Sequence, residues 1–154
     1  MADESGGERR VVAMLNIRNK QLNEFEARAL ERYIRDLTEY VRREEGEEEV
    51  FPSGGSNWVQ VKDLPEEALL RMVKAGVVRA RNYGLMLDCD ITAFVSLMFA
   101  IAPNFDTQAN IQTLLSDPEF SPEERMELLV DLATEEDWEQ AEQSYDESAW
   151  EPRL

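Results

Sequence analysis

The chain has 154 residues, and its 33 acidic and 16 basic side chains give it a formal net charge of −17. This length suits one domain that can bury a sizeable core. A charge of this sign repels the phosphate backbone of nucleic acids and anionic membrane surfaces. We therefore expect a protein partner, and neither a nucleic-acid nor a membrane partner.

Histidine is absent and Cys89 is the single cysteine. These counts exclude a disulfide within the chain, a Cys/His zinc site and the Ser-His and Cys-His nucleophile pairs. The first ten residues lack the apolar core of a signal peptide. The longest apolar stretch, Ile91 to Ala102, has about twelve residues, where a membrane-spanning helix needs about twenty. The sequence thus predicts a cytoplasmic protein.

The first part of the chain predicts one long helix and one short strand. Residues 1–13 are mostly polar, and we expect them to be disordered. From Asn19 to about Arg43, apolar side chains recur at steps of three and four, which is typical of an amphipathic helix. The acidic run 44–49 ends this helix. Residues 58–61 alternate as in a short strand, but no partner strand is evident.

Residues 63–67 carry a proline and two glutamates, a typical helix start, and Gly84 is a typical helix stop. The helix between them is predicted to run to about Asn82. Its buried stripe consists of Leu69, Met72, Val73, Gly76, Val77 and Ala80.

The most apolar helix follows, from Asp90 to Ala102, and Pro103 ends it. Asp88 and Asp90 are expected to cap its start. Because it is apolar on almost every side, we expect it to lie inside the protein. The predicted core side chains are Phe94, Val95, Met98 and Phe99.

Two shorter helices are predicted next. Asp106 or Thr107 is expected to cap a helix bearing Ile111, Leu114 and Leu115. Residues 121–124 read Ser-Pro-Glu-Glu, a capping box with proline at the first helical position. The helix that they open is predicted to bury Met126, Leu129, Val130 and Ala133.

These elements predict an all-α fold, a compact irregular bundle of about five helices around the buried helix from Asp90 to Ala102. Residues 14–134 form the single helical domain in this interpretation. Residues 135–154 form an acidic C-terminal tail that is partly packed.

No candidate chemistry outweighs a simpler explanation. Asp88, Asp90 and Asp106 could ligate a hard cation, but their spacing differs from an EF-hand and helix capping explains them. Cys89 lies between two carboxylates, which raise the pKa of a thiol and favour an inert role. The paired carboxylates of residues 44–49 and of the tail could supply a glycosidase acid and base, but solvation explains such runs. We therefore predict no catalytic residue, no metal and no cofactor.

Partner-binding candidates lie in the loops, in the acidic run and on one helix face. Aromatic side chains in loops or tails are either satellite core or interface anchors. The basic stripe on the helix predicted to run to about Asn82 is either a solvated face paired with the chain's own glutamates or a binding patch. The candidates are Trp58, Trp138, Tyr145, Trp150, Glu47, Glu48, Arg71, Lys74 and Arg81.

Several segments resemble a family of small acidic helical proteins encoded in bacterial type VI secretion clusters, near genes for spike, PAAR-tip, adaptor and effector proteins. The segments are Met14-Leu15-Asn16-Ile17-Arg18-Asn19-Lys20-Gln21-Leu22, Ala80-Arg81-Asn82-Tyr83-Gly84, Phe94-Val95-Ser96-Leu97-Met98-Phe99, Pro103-Asn104-Phe105-Asp106-Thr107, and Leu114-Leu115-Ser116-Asp117-Pro118 with Arg125-Met126. The resemblance covers about Met14 to Ala133. Residues 51–62 and the acidic tail depart from the pattern.

The resemblance implies an accessory role without an active site. We expect an adaptor or chaperone that holds a type VI effector or spike-tip component before loading. The alternative is an immunity protein that neutralises a basic toxin, because an acidic surface suits a basic partner. A hydrolase is a third class.

Overall fold

The computed structural model describes residues 27–151. The chain divides into two units, Met1–Arg35 and Asp36–Leu154, and residues 27–35 of the first are helical. The contacts below are those of the second unit. The predicted disorder of residues 1–13 and the predicted helix start at residues 19–26 lie outside the described residues.

Most of the described chain is helical, as the all-α prediction requires. Helix α1 comprises residues 27–44. The other α-helices are α2 (Glu66–Asn82), α3 (Asp88–Ala100), α4 (Ala109–Leu115), α5 (Pro122–Leu132) and α6 (Glu135–Gln143). Single 3-10 turns cover Val61–Asp63, Phe105–Thr107 and Glu147–Trp150. None of the helices in residues 27–151 is long and apolar enough to span a bilayer.

The predicted strand is not alone. Strand β1 (Glu49–Val50) pairs antiparallel with strand β2 (Val59–Gln60), with Val50 opposite Val59. The expectation of an unpaired strand was wrong because the end of the acidic run supplies the partner. Val50 is fully buried there, so one apolar side chain anchors a strand too short to show an alternating pattern.

Helices α2 and α3 pack closely. The predicted stripe of α2 is buried as expected. A Cβ at Gly76 would lie 3.0 Å from Val95 Cγ2 and 3.1 Å from Met98 Sδ, so glycine permits this approach. Gly84 ends the segment with a φ of +88°, a left-handed conformation that favours glycine.

Helix α3 buries one side and exposes another. Phe94, Val95, Met98 and Phe99 are all buried, which confirms the predicted core. Ala93 is exposed, however, so α3 is not enclosed on all sides. Its small and weakly polar residues lie together on the exposed side.

The start of α3 differs from the prediction. The N-cap residue is Leu87, whose side chain makes no capping hydrogen bond. Asp88 and Asp90 lie in the first turn, so the capping prediction was wrong for both. Their carboxylates still face the positive end of the helix dipole.

The next two helix starts also differ. Gln108 caps α4 by accepting a hydrogen bond from the Ile111 backbone N–H at 2.9 Å, so neither Asp106 nor Thr107 is the cap. Ser121 caps α5 by accepting from the Glu124 backbone N–H at 3.4 Å. No return bond from the Ser121 N–H to the Glu124 carboxylate occurs in the described structure, so the predicted box is half formed.

Two residues of α5 are less buried than predicted. Met126 and Leu129 are buried, as expected. Val130 is 70% exposed and Ala133 is half-buried. The prediction failed because an apolar side chain is buried only where another element covers its face.

Residues 135–151 contain helix α6, a 3-10 turn and buried side chains. Thr134 and Asp137 form a full capping box at the start of α6. Trp150 is only 2% exposed, and its ring centroid lies 4.7 Å from that of Phe99. This acidic segment therefore contributes to the core.

Candidate partner-binding site

The exposed side of α3 forms the floor of a shallow groove of about 580 Å³ that is open to solvent. The end of α1 and the following turn contribute Tyr40 and Glu45, and α5 contributes Met126 and Val130. Helix α3 contributes Asp88, Cys89, Thr92, Ala93, Ser96, Leu97 and Ala100.

The α3 residues of the groove form two rows with a spacing of four. One row is Cys89, Ala93 and Leu97, and the other is Thr92, Ser96 and Ala100. Rows with this spacing are the ridges that pack into the grooves of a neighbouring helix. Most of these side chains are small, so a neighbour could approach the α3 backbone closely.

The groove is negatively charged at its rim. Glu45 and Asp88 are its ionisable carboxylates, and none of the lining residues within the described range 27–151 is a lysine or an arginine. Burial raises the pKa of the Glu45 carboxyl, and the charges of Glu48 and Glu44 raise it further. A cation placed beside Glu45 would relieve this unfavourable charge.

The start of α3, next to the groove, is also acidic. Burial raises the pKa of Asp90, and the charges of Glu123 and Glu127 on α5 add to the effect. One carboxylate oxygen of Asp90 is shielded from solvent and has no hydrogen-bond partner within the described part of the chain. Three carboxylates thus repel one another here.

Two further polar groups in the groove have no evident structural role. The Cys89 thiol is exposed, and it makes a weak contact of 4.0 Å with Asp90 Oδ1. The Ser96 hydroxyl oxygen is shielded from solvent without a hydrogen-bond partner among residues 27–151. Cys89 is therefore not a packed thiol, and the inert role expected from the sequence stays a prediction.

A basic side chain does lie near the groove. The Arg43 guanidinium carbon is 5.7 Å from the centroid of the Tyr40 ring. Its Nε atom also lies 3.2 Å from the Glu44 carboxylate. The Tyr40 ring therefore already accepts a cation on one face.

The predicted aromatic candidates pack against other aromatic rings of the structure. The Tyr145 ring packs edge-on to the Trp58 ring, with centroids 4.8 Å apart, and the Trp58 ring packs on Phe51 at 5.6 Å. The Tyr145 hydroxyl accepts hydrogen bonds from the Phe51 backbone N–H at 2.9 Å and from Trp150 Nε1 at 3.1 Å. Trp58 remains 52% exposed, so it is the aromatic candidate whose ring is most accessible.

The other two candidates are less accessible. Trp138 is half-buried, with its ring 6.1 Å from that of Phe105. Trp150 is buried, so the expectation that its ring is an exposed anchor was wrong. Both rings stabilise the fold from a segment that has no apolar stripe of its own.

The charged candidates are exposed and lie apart from the groove lining. Glu47 and Glu48 are exposed beside β1. Arg71, Lys74 and Arg81 are exposed on α2, and no carboxylate lies within 4.0 Å of them in the described structure. Within residues 27–151 the basic stripe is therefore exposed without ion pairs, and its role in binding stays a prediction.

Buried charges hold the fold together elsewhere. Asp106 is 2% exposed and receives a hydrogen bond from Arg79 Nε at 2.7 Å. The Arg125 guanidinium donates to four backbone carbonyls, those of Asp117, Phe120, Leu115 and Tyr83. Asp106 and Arg125 fall in the segments that carry the family resemblance, and in this structure they join helices and turns.

A second polar cluster joins α4 to α6. The Asp137 carboxylate accepts from the Thr134 backbone N–H at 3.0 Å, from Asn110 at 2.9 Å and from Gln108 at 3.2 Å. The Thr134 N–H and the Asn110 amide lower the pKa of Asp137, outweighing its burial. Within residues 27–151, no group of three or more acidic or cysteine side chains is placed to hold a metal ion.

The sequence interpretation missed the groove. Its signal was present in α3, where Cys89, Thr92 and Ser96 interrupt an otherwise apolar helix at steps of three and four. The prediction that the helix is apolar on almost every side did not take this less apolar face into account. Comparisons of the chain with protein-family models, curated proteins and solved structures found no match.

Proposed function

We propose that this protein is a non-enzymatic, cytoplasmic adaptor or chaperone that binds a type VI secretion effector or spike-tip component before loading. The observation that carries the proposal is the groove beside α3. It exposes apolar and small side chains, among them Ala93 and Val130, on a chain of net charge −17. An apolar surface on so acidic a protein favours a protein-interaction role.

The exposed acidic side chains and the exposed ring of Trp58 support the same interpretation. Exposed charges steer a basic partner toward the protein, while apolar contacts supply most of the affinity. The identity of the partner class comes from the family resemblance of the sequence. An immunity role is the alternative, since an acidic groove would also suit a basic toxin.

A genetic experiment separates the two roles. We would delete the gene in a bacterium that secretes the neighbouring effector, then restore either the natural chain, the Ala93→Gln variant or the Ala109→Gln variant. Both alanines are exposed, but only Ala93 lines the groove, so Ala109→Gln is the matched control. Effector in the medium and cell survival are measured together.

An adaptor predicts that the deletion strain survives without secreting the effector, and that Ala109→Gln restores secretion while Ala93→Gln does not. Death of the deletion strain in the presence of the effector would instead establish immunity. Equal restoration by both variants would show that the groove is not the binding surface. Melting curves of the purified variants verify that both are folded.

A further inference from the structure

The groove is long enough for about three turns of a helix. Its α3 floor runs from Cys89 to Ala100, which corresponds to roughly 17 Å at 1.5 Å per residue. A helical partner would place apolar side chains at steps of three and four along this length. The two rows of α3 have the matching spacing.

A helix fits this floor better than a strand does. A strand binds by pairing its backbone with an exposed sheet edge. The groove is lined by helix side chains and one turn residue, Glu45, so it presents no sheet edge. The small side chains Ala93 and Ala100 leave room for the ridge of a second helix.

The charge around the groove indicates which residue types would suit the flanks of that helix. Glu45 and Asp88 line the groove, and Asp90 lies beside it among the α5 carboxylates. Lysine or arginine beside an apolar stripe would neutralise the Glu45 and Asp90 carboxylates. A second copy of this chain is a poor occupant, because it also carries a net charge of −17.

We propose that the groove formed by α1, α3 and α5 binds an amphipathic helix of the partner, with an apolar stripe on α3 and lysine or arginine on its flanks. This inference rests on the proposed function and specifies the chemistry of the partner. Val130, exposed on α5, contacts the edge of the apolar stripe. Tyr40 contacts it from α1.

The native thiol provides a direct reading of occupancy. Cys89 is the single cysteine, is exposed and lines the groove. The probe is a synthetic helical peptide of about fourteen residues, roughly four turns, with a leucine stripe and lysine flanks. One control peptide has glutamate in place of each lysine, and another has the same composition as the probe in an order that breaks the stripe.

The rate of maleimide addition to Cys89 is measured in the full chain with each peptide. At a concentration about ten times the Kd, a seated helix leaves the groove free for about one tenth of the time, so labelling slows about tenfold. The probe should give this protection, and more salt should weaken it. The two control peptides should leave the rate unchanged.

Matched variants test both parts of the inference by peptide affinity. Ala93→Gln blocks the floor and should weaken probe binding about tenfold, while Ala109→Gln should not. Glu45→Gln removes a groove charge and should weaken binding roughly threefold. Glu142→Gln removes an exposed charge on α6, outside the groove lining, and should leave affinity unchanged.

Four results would overturn the inference. If the peptide with the broken leucine stripe protects Cys89, charge attraction alone explains binding. If the glutamate peptide protects Cys89, apolar attraction alone explains it. Dimers that sedimentation detects and that protect Cys89 without any peptide would make a second copy the occupant. If Ala93→Gln blocks effector secretion while the lysine probe fails to bind, the proposed function stands and the helix chemistry is wrong.

Discussion

The Tyr83 hydroxyl donates a hydrogen bond of 2.7 Å to Asp106 Oδ2, joining the end of α2 to the turn after α3. Asp106 is almost fully buried, and its other carboxylate oxygen accepts from Arg79 Nε at 2.7 Å. One carboxylate therefore accepts from Arg79 of α2 and from Tyr83, the residue directly after that helix. A buried charge needs such partners to be tolerated.

Replacing Asp106 by alanine should lower the free energy of unfolding by about 3 to 5 kcal/mol, because it leaves the Arg79 charge without its partner in a mostly buried site. Urea denaturation measures the change. Asp131→Ala, at an exposed position of α5, is the control and should change stability by less than about 0.5 kcal/mol. A small loss for Asp106→Ala would mean that the pair contributes little.

Alkaline pH should destabilise the fold through Tyr83. Burial raises the pKa of its phenol above the ordinary value, and the hydrogen bond to Asp106 raises it further. The folded state thus holds this proton more tightly than the unfolded state, whose tyrosine titrates near 10. The contribution to stability is complete below about pH 10 and is lost as pH rises toward the folded pKa. Denaturation curves from pH 8 to 11 should show this fall, and Tyr83→Phe should reduce its slope.

Low pH should destabilise the fold through Asp137. Hydrogen bonds from Thr134 and Asn110 lower the pKa of its carboxyl. The unfolded state therefore binds the proton first, so this contribution is present above the ordinary aspartate pKa of about 3.9 and is lost as pH falls through the folded pKa. Acid titration of unfolding measures the effect. Asp137→Asn should be less stable at neutral pH and should lose less stability on acidification; an unchanged acid dependence would contradict this role.

The acidic C-terminal segment should be needed for stability. Trp150 packs on Phe99 and donates to the Tyr145 hydroxyl, so Trp150→Ala should cost about 3 to 5 kcal/mol. Thermal melting of Trp150→Ala and of Trp58→Ala makes the comparison, since Trp58 is half exposed and should cost less. Equal melting temperatures for Trp150→Ala and the natural chain would place this residue outside the core.

The two helix caps should differ in strength. Ser121 makes one long capping bond, whereas Thr134 belongs to a box with reciprocal bonds. Ser121→Ala should cost about 1 kcal/mol or less, and Thr134→Ala should cost more. Chemical denaturation of both variants measures the order. A greater loss for Ser121→Ala would show that the reciprocal bond of the Thr134 box contributes nothing.

The sequence alone determined the bounds of α2, the cap at Ser121 and the buried residues Phe94 and Phe99. These features depend on interactions within one or two helical turns, where proline, glycine and apolar periodicity act directly. The groove could be predicted from the sequence only in part, because the small residues of α3 lie along one side of that helix. The local pattern could not show whether another element covers them.

Only the tertiary structure decided which apolar faces remain open and which carboxylates are paired. Val130 belongs to an apolar pattern yet is exposed, since no described element covers it. Asp106 finds its partner 27 residues earlier in the chain, at Arg79. Such outcomes depend on how helices meet in space, and no helical period or capping motif encodes a contact over that separation.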